Sequence, residues 1–241
     1  MLKLDNVAVS YGKTPVLKDV SLTLNAGQTL AVVGESGAGK STLIAAVLGL
    51  HAVSEGRITW ADAPVKACHP SLVMQEPRAA FNPVLPLRRS VLEPLTARGE
   101  TIPDRRLGQL CDRLELPAYL LDRKPREVSI GQAQRVGILR ALIAGSPLIL
   151  FDEPLSALDA VTQKHTAKLI ADLQLELGFA ALVVTHDLGY AAAFSDDIAV
   201  LRDGRVEELT PTAAFIAQPR SAYGNTLRDA AFALGALEHA P

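Results

Sequence analysis

Gly34-Glu35-Ser36-Gly37-Ala38-Gly39-Lys40-Ser41 is the stretch whose reading decides the fold of this chain. Gly34, Gly39, Lys40 and Ser41 stand at the spacing G-x-x-x-x-G-K-[ST] of a phosphate-binding loop. Thr29 to Val33 before it is apolar and β-branched, a strand; Thr42 to Leu50 after it is apolar without a breaker until Gly49, a helix. That context separates the motif from an ordinary glycine-rich turn. The physical logic is specific. Glycines let the backbone bend so that its amides turn inward as a nest, and the following helix adds the positive end of its dipole. Lys40 is placed to reach outer phosphates, and the Ser41 hydroxyl to ligate Mg²⁺. Thr42, one residue on, completes the candidate contact set.

A second element belongs to the same chemistry. Leu148-Ile149-Leu150-Phe151-Asp152-Glu153 is an apolar strand ending in two carboxylates. An acid at the end of a neighbouring strand holds Mg²⁺ in phosphate-loop proteins, a role that suits Asp152. Glu153 points elsewhere and suits polarisation of an attacking water. The competing reading is an acidic pair making a turn or cap. His186 closes another buried strand, Val183-Val184-Thr185-His186-Asp187, and strand ends line the ligand crevice in such sheets. It is expected to contact a γ-phosphate and Glu153, the competing reading being a satisfied structural histidine.

Outward from these motifs, residues 1–26 alternate: Leu2, Leu4, Val7 and Val9, a turn at Tyr11-Gly12-Lys13, then Val20, Leu22 and Leu24. Period 2 predicts antiparallel strands, and Arg57 to Ala61 reads as one more. Pro77, Pro83, Pro86 and Pro94 predict a loop-rich segment over 77–95. Helices are expected over 104–124 (Leu107, Leu110, Cys111 and Leu114 inward), 131–145 (Val136, Leu139, Leu142 and Ile143) and 160–177 (Leu169, Ile170, Leu173 and Leu177). Ala181–Thr185, Ile198–Leu201 and Arg205–Leu209 read as strands, the last two about the turn Asp203-Gly204. Apolar strands alternating with helices predict an α/β fold with a mainly parallel central sheet covered on both faces, an antiparallel β subdomain and an inserted helical lobe.

Bulk properties narrow the class. The chain has 241 residues and a net charge of −2, so no basic field draws it to nucleic acid. Cys68 and Cys111 lack metal-ligand spacing and read as reduced thiols. No apolar run approaches the roughly 20 residues of a membrane span, and the first residues do not read as a signal peptide. The expectation is a protein at the cytoplasmic face of a membrane, reaching it through a partner.

Taken together, the motifs resemble the ATP-binding subunit of an ABC transporter, a P-loop NTPase, over about residues 2–210. Tyr11 resembles the family's adenine-stacking aromatic, Gly34–Ser41 its Walker A loop, and Gln75 in Met74-Gln75-Glu76-Pro77 its Q-loop glutamine, which senses Mg²⁺ and the γ-phosphate. Ser129-Ile130-Gly131-Gln132 falls where the signature loop stands; Asp152 and Glu153 match Walker B and the general base, Ser156-Ala157-Leu158-Asp159 the D-loop, and His186 the switch histidine. The resemblance implies one ATP-binding domain over 1–241: a core from 1–76 and 146–210, a helical lobe from 77–145 and a C-terminal tail from 211–241. It implies ATP and Mg²⁺ as ligands, with Ser41, Gln75 and Asp152 on the metal and Lys40, Gln75, Glu153 and His186 in catalysis. It implies as partners membrane permease subunits, a second ATP-binding subunit and, indirectly, an extracytoplasmic substrate-binding protein. One position departs from the family's Leu-Ser-Gly-Gly-Gln: Ile130 replaces a glycine in a loop that completes the partner's site, where a β-branched residue is expected to be less permissive than glycine.

Within the family, Met74 to Pro83, with Asn82-Pro83, resembles the Q-loop of peptide and nickel importers, and Ala222-Tyr223 with Leu227 echoes a C-terminal segment of the same group. The implied cargo is a peptide, nickel or a metal–chelator complex. The alternatives are the ATPase of a phosphonate-degrading complex, a soluble ABC ATPase acting on nucleic acid, and a non-hydrolysing homologue; intact Glu153 and His186 weigh against the last.

Overall fold

A computed structural model of the chain describes residues 1–237. The alternating N-terminal segments form β1 (Leu2–Tyr11) and β2 (Thr14–Leu24), antiparallel with Leu2 opposite Leu24, Leu4 opposite Leu22 and Val7 opposite Val20. The chain then enters β3 (Thr29–Val33), bends through the glycine-rich loop and starts α1 (Lys40–Val47). It returns to the first sheet as β4 (Glu55–Trp60) and the two-residue β5 (Ala63–Pro64), giving the order β2-β1-β4-β5.

The second sheet begins with β6 (Ser71–Val73). Three helices follow: α2 (Leu87–Ala97), α3 (Asp104–Arg113) and α4 (Ile130–Ile143). Then β7 (Leu148–Asp152), α5 (Ala160–Leu177), β8 (Ala180–Thr185), α6 (Leu188–Phe194), β9 (Asp197–Arg202) and β10 (Arg205–Pro211) alternate, and α7 (Thr212–Ala217) and α8 (Ala222–Ala233) close the described chain. The strand order is β10-β9-β3-β8-β7-β6, parallel except for the β9–β10 hairpin.

Alternation along the buried strands sorts side chains into layers. Leu30, Val32, Leu148, Leu150, Leu182 and Val184 face α1 and the antiparallel sheet. Ile149, Phe151, Ala181 and Val183 face the opposite way, in the cluster holding Val91, Leu107, Val136, Leu139 and Ile170. Ala31, Val33, Ile198 and Val200 pack with Leu188, Phe215 and Tyr223. α1 is buried nearly all round because it lies between two sheets.

Three local expectations are corrected. The prolines of 77–95 predict loop, yet Leu87–Ala97 is helical. Pro86 stands just before the helix with φ −58°, where its ring is pre-set and its missing N–H costs nothing, and Leu87, Val91 and Leu95 bury one stripe. The helix expected over 104–124 ends at Arg113: Glu115 turns left-handed (φ +52°), and Ala118–Asp122 after Pro117 is a separate 3₁₀ segment. The α5 stripe stops early, since Ile170 and Leu173 are buried but terminal Leu177 is exposed and Leu169 half-buried. The tail contains two helices, α7 and α8; residues 238–241 of it lie outside the described residues.

Candidate functional site

Parallel pairing brings the candidate residues to one edge. Val33 pairs with Thr185, Asp152 with Val184 and Val73 with Phe151. The residues after these strand ends, Gly34, His186, Glu153 and Gln75, therefore emerge together, at the edge where parallel sheets bind ligands.

The bend at Gly34–Ser41 is walled by backbone. A Cβ on Gly34 would lie 2.1 Å from the Leu201 carbonyl oxygen, so no larger residue fits without moving β9. Gly39 caps α1 in a left-handed conformation (φ +107°), which glycine adopts at little cost. The β9–β10 turn supports the bend, Gly204 N donating to the Ala38 carbonyl at 3.1 Å. This turn contact was not legible from sequence, because it joins residues far apart in the chain.

Lys40 is buried, and its Nζ donates to the carbonyls of Gly34 (2.7 Å) and Glu35 (2.9 Å), both in the loop it follows. Burial lowers its pKa, and the negative charges of Glu153 and Asp152 oppose that shift. Burial raises the pKa of Asp152; repulsion from Glu153 adds to the rise and Lys40 counters it. Two carboxylates and one ammonium thus share a partly dehydrated corner.

Glu153 is the geometric centre of the remaining groups. Its backbone is left-handed (φ +43°), a conformation costly for a residue with a side chain and seen mostly where function or tight structure demands it. Glu153 N donates to the Val184 carbonyl at 2.9 Å, tying that backbone to β8. Its Oε2 accepts from Gln75 Nε2 at 3.2 Å and lies 3.2 Å from His186 Nδ1. The carboxylate is 17% exposed and the imidazole 63%, so the histidine stands on the solvent side.

The other candidates make their contacts outside this cluster. Tyr11 ends β1 and its half-exposed ring meets His51 edge-on, with centroids 4.3 Å apart. Ser129 caps α4: its hydroxyl accepts from Gln132 N at 3.1 Å, while Gln132 Oε1 accepts from Ser129 N at 2.9 Å. A Cβ on Gly131 would meet Thr162 Cγ2 at 3.1 Å, which places the α4 start beside α5. Asp159 caps α5, accepting from Thr162 N and Oγ1, and those bonds lower its pKa. Ile130, where a β-branched residue is expected to be less permissive than glycine, stands in ordinary helical backbone. It is the first residue of α4, absent from the left-handed positions, and 42% exposed, so the backbone there does not require glycine.

The cluster fits a polyphosphate with a divalent cation. The bend leaves no room for a Cβ at Gly34, and the Lys40 ammonium is satisfied by loop carbonyls rather than committed to a carboxylate bridge. No group of three or more His, Cys, Asp or Glu side chains forms a metal cage among the described residues. Asp152, the exposed Ser41 hydroxyl and ligand oxygens match the sparse coordination by which Mg²⁺ is usually held.

Comparison with known proteins places the fold. The family model described as "ABC transporter" matches residues 17–156. The oligopeptide transport ATP-binding protein OppF of Haemophilus influenzae is 37% identical over 207 residues, covering 80% of this chain and 62% of that protein. The sn-glycerol-3-phosphate import ATP-binding protein UgpC of Ruegeria pomeroyi is 38% identical over 212 residues, covering 86% and 60%. The Fe(3+) ions import ATP-binding protein FbpC of Pseudomonas fluorescens is 36% identical over 230 residues, covering 92% and 64%. The chain thus spans about three-fifths of the length of these relatives. Among solved structures, the dimeric post-hydrolysis state of the ATP-binding cassette MJ0796 bound to ADP and Pi superposes with TM-score 0.77 at 31% identity, covering 88% of this chain and 99% of that one. The chain belongs to the ABC transporter family, and its fold is the α/β P-loop NTPase fold with an antiparallel sheet and helices added. No helix among the described residues is long and apolar enough to cross a membrane.

Proposed function

We propose that this chain is the ATP-hydrolysing subunit of an ABC importer, a single ATP-binding domain with the core, lobe and tail described from its sequence. The observation that carries this is the Glu153 carboxylate held between Gln75 and His186 at the strand edge beside Lys40. Loop amides and Lys40 bind and orient the phosphates of ATP. Glu153 takes the proton of the attacking water, and Gln75 and His186 fix the direction of its carboxylate. Ser41 and Asp152, with Gln75 nearby, are the groups to hold Mg²⁺, which when bound offsets phosphate charge. Tyr11 takes the adenine. Ser129, Gly131, Gln132 and Asp159 make no hydrogen bond to the chain's own Glu153 cluster among the described residues and suit contact with the nucleotide site of a second ATP-binding subunit.

The cargo we favour is a peptide, nickel or a metal–chelator complex, delivered by membrane permease subunits at the cytoplasmic face. The Asn82-Pro83 Q-loop and the 37% identity to OppF support the peptide reading. Similar identity to UgpC and FbpC makes glycerol phosphate and ferric ion the competing cargoes to test. The deciding assay is Glu153→Gln in the assembled transporter. ATP binding should persist and turnover should fall at least about a hundredfold, the scale of a lost general base. Wild-type turnover in that variant would remove Glu153 from the role.

A further inference from the structure

α8 is pinned to β10 at its start. The buried Glu208 Oε2 accepts from Arg220 N at 2.6 Å and Ser221 N at 3.0 Å, and the Ser221 hydroxyl caps the helix on Gly224 N at 2.8 Å. That anchorage fixes Tyr223, the helix's second residue, which is only 7% exposed. The guanidinium of Arg202 lies over the Tyr223 ring, 4.7 Å from its centre. Arg202 follows Leu201, whose carbonyl closes the bend over Gly34, and precedes the turn in which Gly204 donates to Ala38. A continuous line of packed groups therefore runs from α8 through Tyr223, Arg202 and the β9–β10 hairpin to the bend at Gly34–Ala38. The buried Tyr223 hydroxyl faces Glu35, a residue of the loop itself, outside full hydrogen-bond geometry. Burial, then the charge of nearby Glu35, raises its pKa, while the Glu35 backbone opposes that shift.

We infer that Tyr223 and Arg202 are positioning residues for the phosphate loop, acting as a strut that holds the β9–β10 hairpin against Gly34 and Ala38. The inference rests on the reading of that loop as the ATP site. The guanidinium over the aromatic face is held by the ring's quadrupole, and the hydroxyl's approach to Glu35 adds a direct contact with the loop. Neither residue touches the Glu153 cluster, so their loss should act on nucleotide affinity and KM and leave kcat of the saturated transporter nearly unchanged.

The test compares Tyr223→Ala, Tyr223→Phe and Arg202→Lys with the parent chain by two readouts. One is hydrogen exchange of the amides of residues 34–43 without nucleotide; the other is titration with ATP and Mg²⁺. Tyr223→Ala should speed exchange across the loop and weaken ATP binding about tenfold, the scale of a partly buried cation–π contact. Tyr223→Phe, which keeps the ring and loses only the approach to Glu35, should stay closer to the parent than Tyr223→Ala in both, and Arg202→Lys should fall between the parent and Tyr223→Ala, since lysine keeps the charge but loses the planar stack. Parent-like exchange and affinity in Tyr223→Ala would overturn the strut, and so would Tyr223→Phe being as damaged as Tyr223→Ala. If Tyr223→Ala does not fold, Arg202→Lys at its half-exposed position decides, and unchanged loop exchange there refutes the inference. If the parent chain binds no ATP, the proposed function fails, while the exchange comparison still judges the strut.

Discussion

Gly34→Ala offers the most direct measure of how tightly the site is built. The added Cβ would stand 2.1 Å from the Leu201 carbonyl oxygen, 3.2 Å from its carbon and 3.4 Å from the Ala38 Cβ. An ordinary C···O contact needs about 3.3–3.6 Å, so β9 or the bend must give way by roughly an ångström. β9 is poorly placed to yield. Leu201 is fully buried, Val200 pairs with Val33 of β3 on one side, and Leu201 itself pairs with Val206 of β10 on the other. Overpacking of this kind costs about 1–3 kcal/mol, and each ladder hydrogen bond stretched by the shift adds about 1 kcal/mol. A total near 3 kcal/mol lowers the melting temperature of a chain this long by about 6–12 °C. Displacing the bend also misaims the loop amides, so ATP affinity should fall by at least about tenfold. Thermal unfolding and ATP titration of the purified variant measure both. A melting temperature within about 1 °C of the parent, with unchanged affinity, would refute the claim that the Leu201 carbonyl defines the loop.

Asp152→Asn should raise the melting temperature of the nucleotide-free protein at neutral pH while abolishing Mg²⁺-dependent turnover. The folded state raises the Asp152 pKa above its ordinary 3.8, so the charged form is destabilising at pH 7; that penalty fades as pH falls from the raised folded value through 3.8. The advantage of the variant should disappear over the same window in a pH series of melts, and a pH-independent gap would contradict the assignment. Ile130→Gly should leave the melting temperature of the isolated chain nearly unchanged, the position being an exposed first helical residue. In the assembled transporter it should raise ATPase activity by relieving crowding on the partner's site, and no rise would argue against contact there.

The chemistry of the site was legible in the chain because it is carried by short contiguous stretches. Gly34–Ser41 dictates its own bend, and Leu148–Glu153 its own buried strand with charged end. Alternation in residues 1–24, the stripe of Leu107, Leu110 and Cys111 on α3, and Ile170 with Leu173 on α5 likewise follow from local sequence. Prolines misled over 77–95, because Leu87, Val91 and Leu95 gain more from burial than Pro94 loses in one helix hydrogen bond. The meeting of His186 with Glu153 was expected from the chain; what only the tertiary structure decided are other meetings between distant segments: Gln75 joining His186 on one carboxylate oxygen, the Leu201 carbonyl over Gly34, and Tyr223 under Arg202. Residue type and local spacing bias a chain's own dihedrals and faces. Distances between residues far apart in sequence come from strand register and layer packing, and here those forces aligned four strand ends and folded the C-terminal helix back onto the loop's supporting hairpin.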